Sequence, residues 1–199
     1  MSLSFRKVVM ATSNTGKIAE ISKLLEGLEV QVIAQSEFGV RDAVEDGSSF
    51  KENSLIKARH AAQLTGLPAI ADDSGLSVKA LNGMPGIYSA RYAGQHGNDK
   101  ANNIKLLNDL DGVVDRAATF HCVASFINAD HEPLIAEGVW LGEILKELKG
   151  NSGFGYDPLF FIPDCGCSSA EISLQKKNIL SHRGQALRKL VELIKKRYA

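Results

Sequence analysis

The sequence predicts a mixed α/β fold built on one long, mixed central sheet. Strand-like apolar runs alternate with helix-periodic segments through the first half. Two long alternating runs joined by a short polar turn follow in the second half, the pattern of a hairpin rather than of a parallel crossover. The composition suits an ordinary folded chain: 199 residues, 44% hydrophobic and 23% charged. One domain over residues 1–199 with no linker is the expectation.

The elements follow in order. Arg6 to Ala11 reads as a short buried strand, broken by Thr12-Ser13-Asn14-Thr15-Gly16. Lys17 to Leu28 carries Ile18, Ile21, Leu24, Leu25 and Leu28 at helical spacing, and Val30 to Ala34 is a second strand. Ser49-Phe50-Lys51-Glu52 has the form of a capping box that opens a helix from about Phe50 to Leu64, closed by Gly66. Leu67 to Ala71 is a third strand, expected to stop at Asp72-Asp73-Ser74-Gly75. Asn98 or Asp99 can cap a helix carrying Ile104, Leu107 and Leu110. Ala117–Ile127 and Leu134–Leu145 form the hairpin. A loop at Asn151–Pro158 leads into the strand Leu159–Ile162, and a last helix starts near Ser181.

Charge and cysteine usage narrow the partners. Lys+Arg and Asp+Glu are 23 each, so no global basic excess exists for a nucleic-acid backbone. No apolar run approaches a membrane span, and Met1 to Lys7 lacks the shape of a signal peptide. The three cysteines, Cys122, Cys165 and Cys167, form an odd, low count that points to a reducing compartment, and so to the cytoplasm. Cys165-Gly166-Cys167 reads as loop thiols rather than a zinc site.

Several segments can carry chemistry. Thr12, Ser13, Asn14, Thr15, Gly16 and Lys17 lie between a strand end and a helix start, where unpaired N–H groups suit an anion; a plain N-cap with a solvated lysine is the other reading. Adjacent Asp72 and Asp73 repel and favour a cation such as Mg²⁺, against the alternative of a solvated turn. Asn53, Lys57 and His60 lie on one side of a helix preceded by Glu45-Asp46-Gly47, with Glu52 read as a capping acid and His60 as a packing or surface residue. Phe154-Gly155-Tyr156-Asp157 sets aromatic rings among glycines, either as a slot for a flat base or with Phe154 tucked into the core. Ser181-His182-Arg183 opens the last helix with cations opposed to its dipole, which an anionic or carbonyl-rich ligand would explain, and Lys176-Lys177 lies just upstream.

Taken together, Thr12 to Lys17, Phe50-Lys51-Glu52-Asn53 with Lys57-Ala58, Ala71 to Gly75, Pro85 to Tyr92, Phe154 to Pro158 and Ser181 to Gly184 resemble the inosine triphosphate pyrophosphatase family, in particular its bacterial members. The resemblance implies two lobes around an active-site cleft and a homodimer. It also implies Mg²⁺-dependent hydrolysis of ITP, dITP and XTP to the monophosphate and pyrophosphate. By matching positions, Thr12 to Lys17 would hold the triphosphate and Asp73 would be the catalytic acid–base residue and a metal ligand. Glu45 would be a second metal carboxylate and Lys57 a catalytic contact to phosphate. Ser74, Phe154, Gly155, Tyr156, Asp157, Lys177, His182 and Arg183 would contact the nucleotide. Gln175 and Lys176 depart from the family, which commonly has two acids there. The rival readings are a nucleotide sensor without turnover and a pyrophosphatase for pyrimidine or modified nucleotides.

Overall fold

The computed structural model describes residues 3–26, 28–129 and 131–198. The elements are β1 (Lys7–Met10), α1 (Thr15–Leu25), β2 (Gln31–Ala34), α2 (Phe50–Thr65), β3 (Ala69–Val78) and α3 (Asp99–Asp109), then β4 (Ala117–Ile127), β5 (Leu134–Ile144), β6 (Phe160–Ile162), β7 (Cys167–Ser168), α4 (Leu174–Leu180) and α5 (His182–Tyr198). The strands form one seven-stranded sheet in the order β2-β1-β3-β4-β5-β6-β7. β1 pairs in parallel with β2 and β3, while β6 pairs antiparallel with β5 and β7. The fold is therefore mixed α/β, as the sequence predicts.

Two compact units divide the chain: residues 1–73, 122–138 and 183–199 in the first, and 74–121 with 139–182 in the second. In the first unit, strand alternation sorts side chains to two faces. Val8, Met10 and Ile70 pack with Ile21 and Leu25 of α1 and with Leu187, Leu190 and Ile194 of α5. Val9, Ala11, Ala69 and Ala71 pack with Ala58 and Ala61 of α2. In the second unit, Leu76, Val78, Phe120, Trp140 and Phe160 enclose Leu106 and Leu110 of α3.

Several boundaries differ from the sequence reading, and two of the differences have a visible cause. α1 begins at Thr15 rather than Lys17, because Asn14 Oδ1 accepts the Lys17 N–H at 3.1 Å and pulls Thr15 and Gly16 into the first turn. β3 does not stop at Asp72 but runs ten residues, to Val78. Aspartate is unfavourable in a strand unless its charge is met, and here distant side chains meet both charges. α4 is an added short helix, capped by Ser173, whose Oγ accepts the Lys176 N–H at 3.2 Å. Among the described residues no helix is long and apolar enough to cross a membrane.

Candidate active site

The first unit concentrates charge on β3. Because successive strand side chains point to opposite faces, Asp72 and Asp73 make their direct ion pairs on different sides of β3. Asp72 turns to the α1/α5 face. Its Oδ2 lies 3.0 Å from Lys17 Nζ and 3.2 Å from Arg183 Nε. Asp73 turns to the α2 face, where Lys57 Nζ donates to Asp73 Oδ1 at 2.9 Å and to Glu45 Oε1 at 3.1 Å. The two acids thus make their ion pairs with different cations on different faces.

The two environments shift the acids in opposite directions. Burial raises the Asp72 carboxyl, but Lys17, Arg183 and Lys57 outweigh it and hold the group well below the usual carboxylate range. Burial also raises Asp73, and here Glu45 adds to burial while Lys57 opposes both, leaving the carboxyl above its ordinary value. Lys57 loses charge stability to burial and regains more from Asp73, Glu45 and Asp72, so its ammonium is raised. A buried acid raised above its ordinary value, held by a lysine and next to a second carboxylate, is the electrostatic signature of a proton-transfer site.

The polar turn before α1 is ordered by its own side chains. Thr12 Oγ1 accepts the Asn14 N–H at 3.1 Å, and the Ser13 hydroxyl donates to Asp42 Oδ2 at 2.8 Å. Thr15 and Gly16 are exposed at the helix start, the positive end of its dipole. At the mouth of α2, Ser49 Oγ accepts the Glu52 N–H at 3.2 Å. The Glu52 carboxylate accepts from the N–H and hydroxyl of Ser48, each at 2.7 Å, rather than from the Ser49 N–H that a capping box would use. Asn53 Oδ1 accepts the Gly47 N–H at 2.9 Å, and His60 Nε2 lies 3.1 Å from the Arg41 carbonyl oxygen.

The second unit holds the aromatic loop. Asp157 is buried and organises it: Oδ2 accepts the Phe154 N–H at 2.8 Å and the Lys177 ammonium at 2.6 Å, and Oδ1 accepts the Ser169 hydroxyl at 2.8 Å. A Cβ on Gly153, whose φ is +83°, would overlap Asp157 Oδ2, so only glycine fits beside that carboxylate. The Phe154 ring stays 36% exposed rather than entering the core, with Lys177 Nζ 4.9 Å from its centroid. Tyr156 is buried and donates to the Ser89 carbonyl at 2.8 Å. The buried His182 ring stacks on Phe120 at 4.6 Å between centroids. Ser74 is half-buried on β3.

The Ham1 family model matches residues 8–193. The chain belongs to the Ham1 family. Its relatives include the dITP/XTP pyrophosphatase of Photorhabdus laumondii, 50% identical over 194 residues that cover 96% of this chain and 98% of that one. The dITP/XTP pyrophosphatase of Thioalkalivibrio sulfidiphilus is 54% identical over 195 residues, covering 96% and 100%. Among solved structures, a HAM1 protein from Coxiella burnetii superposes with a TM-score of 0.89 at 48% identity, covering 96% of this chain and 100% of that chain.

Against this Ham1 membership the motif residues divide by unit. Residues 12–17, Glu45, Lys57, Asp73 and Arg183 fall in the first unit, and Ser74, Phe154 to Asp157, Lys177 and His182 in the second. Gln175 and Lys176 are exposed on the first turn of α4, whereas Lys177 is buried against Asp157. Sequence reasoning missed the pairing of Asp72 with Arg183, 111 residues along the chain. It also missed the part of α3 in the aromatic loop: Asp99 reads only as a possible helix cap and Asn103 draws no notice, yet both bond the backbone of Gly155.

Proposed function

We propose that this Ham1-family chain hydrolyses nonstandard purine nucleoside triphosphates (ITP, dITP and XTP) to the monophosphate and pyrophosphate, with Mg²⁺, as a cytoplasmic homodimer acting on small nucleotides. Full-length relatives named dITP/XTP pyrophosphatase support the substrate class. The observation that carries the chemistry is the convergence of Asp73 and Glu45 on Lys57 Nζ.

The donor set fits Mg²⁺. Two carboxylates meet at one point, and among the described residues no cluster of three or more His, Cys, Asp or Glu could enclose a metal. Mg²⁺ commonly takes one or two carboxylates and leaves its other positions to water and substrate phosphate. Glu45 and Asp73 would hold it, and its charge would offset that of the phosphate oxygens.

The protein's own groups do the rest. Asp73, raised by burial, accepts the proton of the water that attacks the α-phosphorus. The new bond joins water oxygen to phosphorus, and the bond to the bridging oxygen breaks as pyrophosphate leaves. Lys57 fixes the Asp73 carboxylate and is a cation for phosphate, together with Lys17 and the N–H groups of residues 12–17. In the second unit Phe154 offers a ring face to the purine, with Lys177, His182, Ser74 and the loop of Gly155, Tyr156 and Asp157 around the nucleotide. Donors there favour the 6-keto oxygen of hypoxanthine and xanthine over the 6-amino group of adenine.

A substrate panel tests this reading. With Mg²⁺, dITP and XTP release pyrophosphate far faster than dATP, and chelation by EDTA stops turnover. Equal rates on dATP would overturn the base assignment. Single phosphate as product would overturn the bond assignment.

A further inference from the structure

The loop that presents Phe154 is not held by packing alone. On one side lies an open hollow of about 400 Å³, lined by Asp99, Asn103, Leu148, Pro158 and residues 150–155. A glycine-rich segment beside a hollow lacks the side-chain contacts that fix a platform. Hydrogen bonds take that part. The Gly155 N–H donates to Asp99 Oδ2 at 2.6 Å, and the Gly155 carbonyl accepts from Asn103 Nδ2 at 2.8 Å. Both polar backbone groups of the residue after Phe154 are thus gripped by the first turns of α3. The residue before it is fixed by the Gly153–Asp157 fit.

α3 is itself anchored. Asn102 Oδ1 accepts the Ala93 N–H at 2.8 Å, and Asn102 Nδ2 donates to the Ala90 carbonyl at 3.3 Å. Tyr156 reaches the same segment through the Ser89 carbonyl at 2.8 Å. The Pro85–Tyr92 stretch, prominent in sequence yet given no role in the chemistry, therefore braces the aromatic loop twice: through α3 and through Tyr156.

We propose that Asp99 and Asn103 are positioning residues that act through Gly155 to hold the Phe154 ring ready for the base. Asp99 has no cap to supply, since Asn98 Oδ1 already accepts the Ala101 N–H at 3.1 Å and caps α3. Its carboxylate is committed to the loop. A ring held in advance binds a flat base without first losing loop freedom, which lowers the cost of association. The effect falls on the base-binding step and spares the phosphate-binding groups of the first unit. The assignment rests on the proposed nucleotide pyrophosphatase activity.

The test compares Asp99→Ala, Asn103→Leu and the conservative Asp99→Asn in the full chain. Asp99→Ala raises KM for dITP about tenfold or more, the scale of a lost hydrogen bond to a charged group. It leaves kcat within a factor of about three, and inhibition by inorganic tripolyphosphate, a probe without a base, is unchanged. Asp99→Asn, which keeps an acceptor, restores most of the affinity. Asn103→Leu shows the same split and carries the test if Asp99→Ala fails to fold. Amide exchange over residues 151–158 rises in both variants. Unchanged KM and unchanged exchange would overturn the assignment, as would an equal loss of dITP and tripolyphosphate binding. Wild-type protein inactive on dITP would instead overturn the proposed function, and loop exchange would still decide whether Asp99 and Asn103 hold the loop.

Discussion

The first unit manages charge and the second manages shape. In the first, Lys17, Lys57 and Arg183 are met by Asp72, Asp73 and Glu45 in buried or half-buried pairs. In the second, the buried Lys177–Asp157 ion pair serves a loop also fixed through its backbone by Asp99, Asn103 and Asp157. Cations buried beside carboxylates are already desolvated and oriented when a polyanion arrives. A loop tied by its backbone presents an aromatic face with little freedom left to lose. Substitutions in the first unit should therefore act on turnover and stability, and those in the second on affinity for the base.

The largest effect tests the first half of that contrast. Asp73→Asn lowers the rate of pyrophosphate release about 10²–10⁴-fold, the usual weight of a general base, while circular dichroism shows a folded chain. Asp72→Ala comes next and acts on stability. It leaves the buried Arg183 and the half-buried Lys17 without their shared acid, at a cost of about 3–5 kcal/mol in denaturant unfolding. The pH dependence has a definite sign. With the folded value of Asp72 depressed, its stabilisation is complete above the unfolded carboxylate value of about 3.9 and is lost as pH falls through the folded value. Asp72→Asn flattens that acid-side loss in thermal melts.

Phe154→Ala tests the other half. Loss of a stacking surface of about 1–3 kcal/mol raises KM for dITP roughly ten- to hundredfold and leaves kcat near wild type. A fall in kcat without a change in KM would erase the distinction between the units. The smallest effect is chemical. Cys122 is buried in the first unit with its thiol pushed up by burial, whereas Cys165 and Cys167 are half-buried in the second. A thiol reagent at pH 8 labels the second unit's cysteines in the native protein and reaches Cys122 only after unfolding.

Much of the fold was legible because it is local. The caps at Ser49 and Asn98, the helical stripe of Ile21 and Leu25, and the two long hairpin strands all follow from patterns a few residues wide. The course of β3 was not. Two aspartates in a row read as a strand end, and Lys17, Lys57 and Arg183, brought from other elements, make them tolerable inside a sheet. The candidate site divides in the same way. Residue types at Asp73, Lys57 and Phe154 point to their chemistry, but who pairs with whom is a property of the packed chain. The tie between Asp99 and Gly155 spans 56 residues and leaves no trace in either segment.

The placement of Asp72 and Asp73 on opposite faces of β3 also proofreads the sheet. β3 is set against β1 with Val9 opposite Ala69 and Met10 opposite Ile70. A slip of one residue would turn every side chain of β3 to the other face. Apolar packing penalises such an error on its own, since Ile70 would enter the alanine-lined layer of α2. Two adjacent acids with separate cationic partners punish it heavily, since the slipped strand would carry each carboxylate away from the lysine or arginine that neutralises it. The ion pairs of Asp72 and Asp73 thereby select the one strand alignment in which both carboxylates are met.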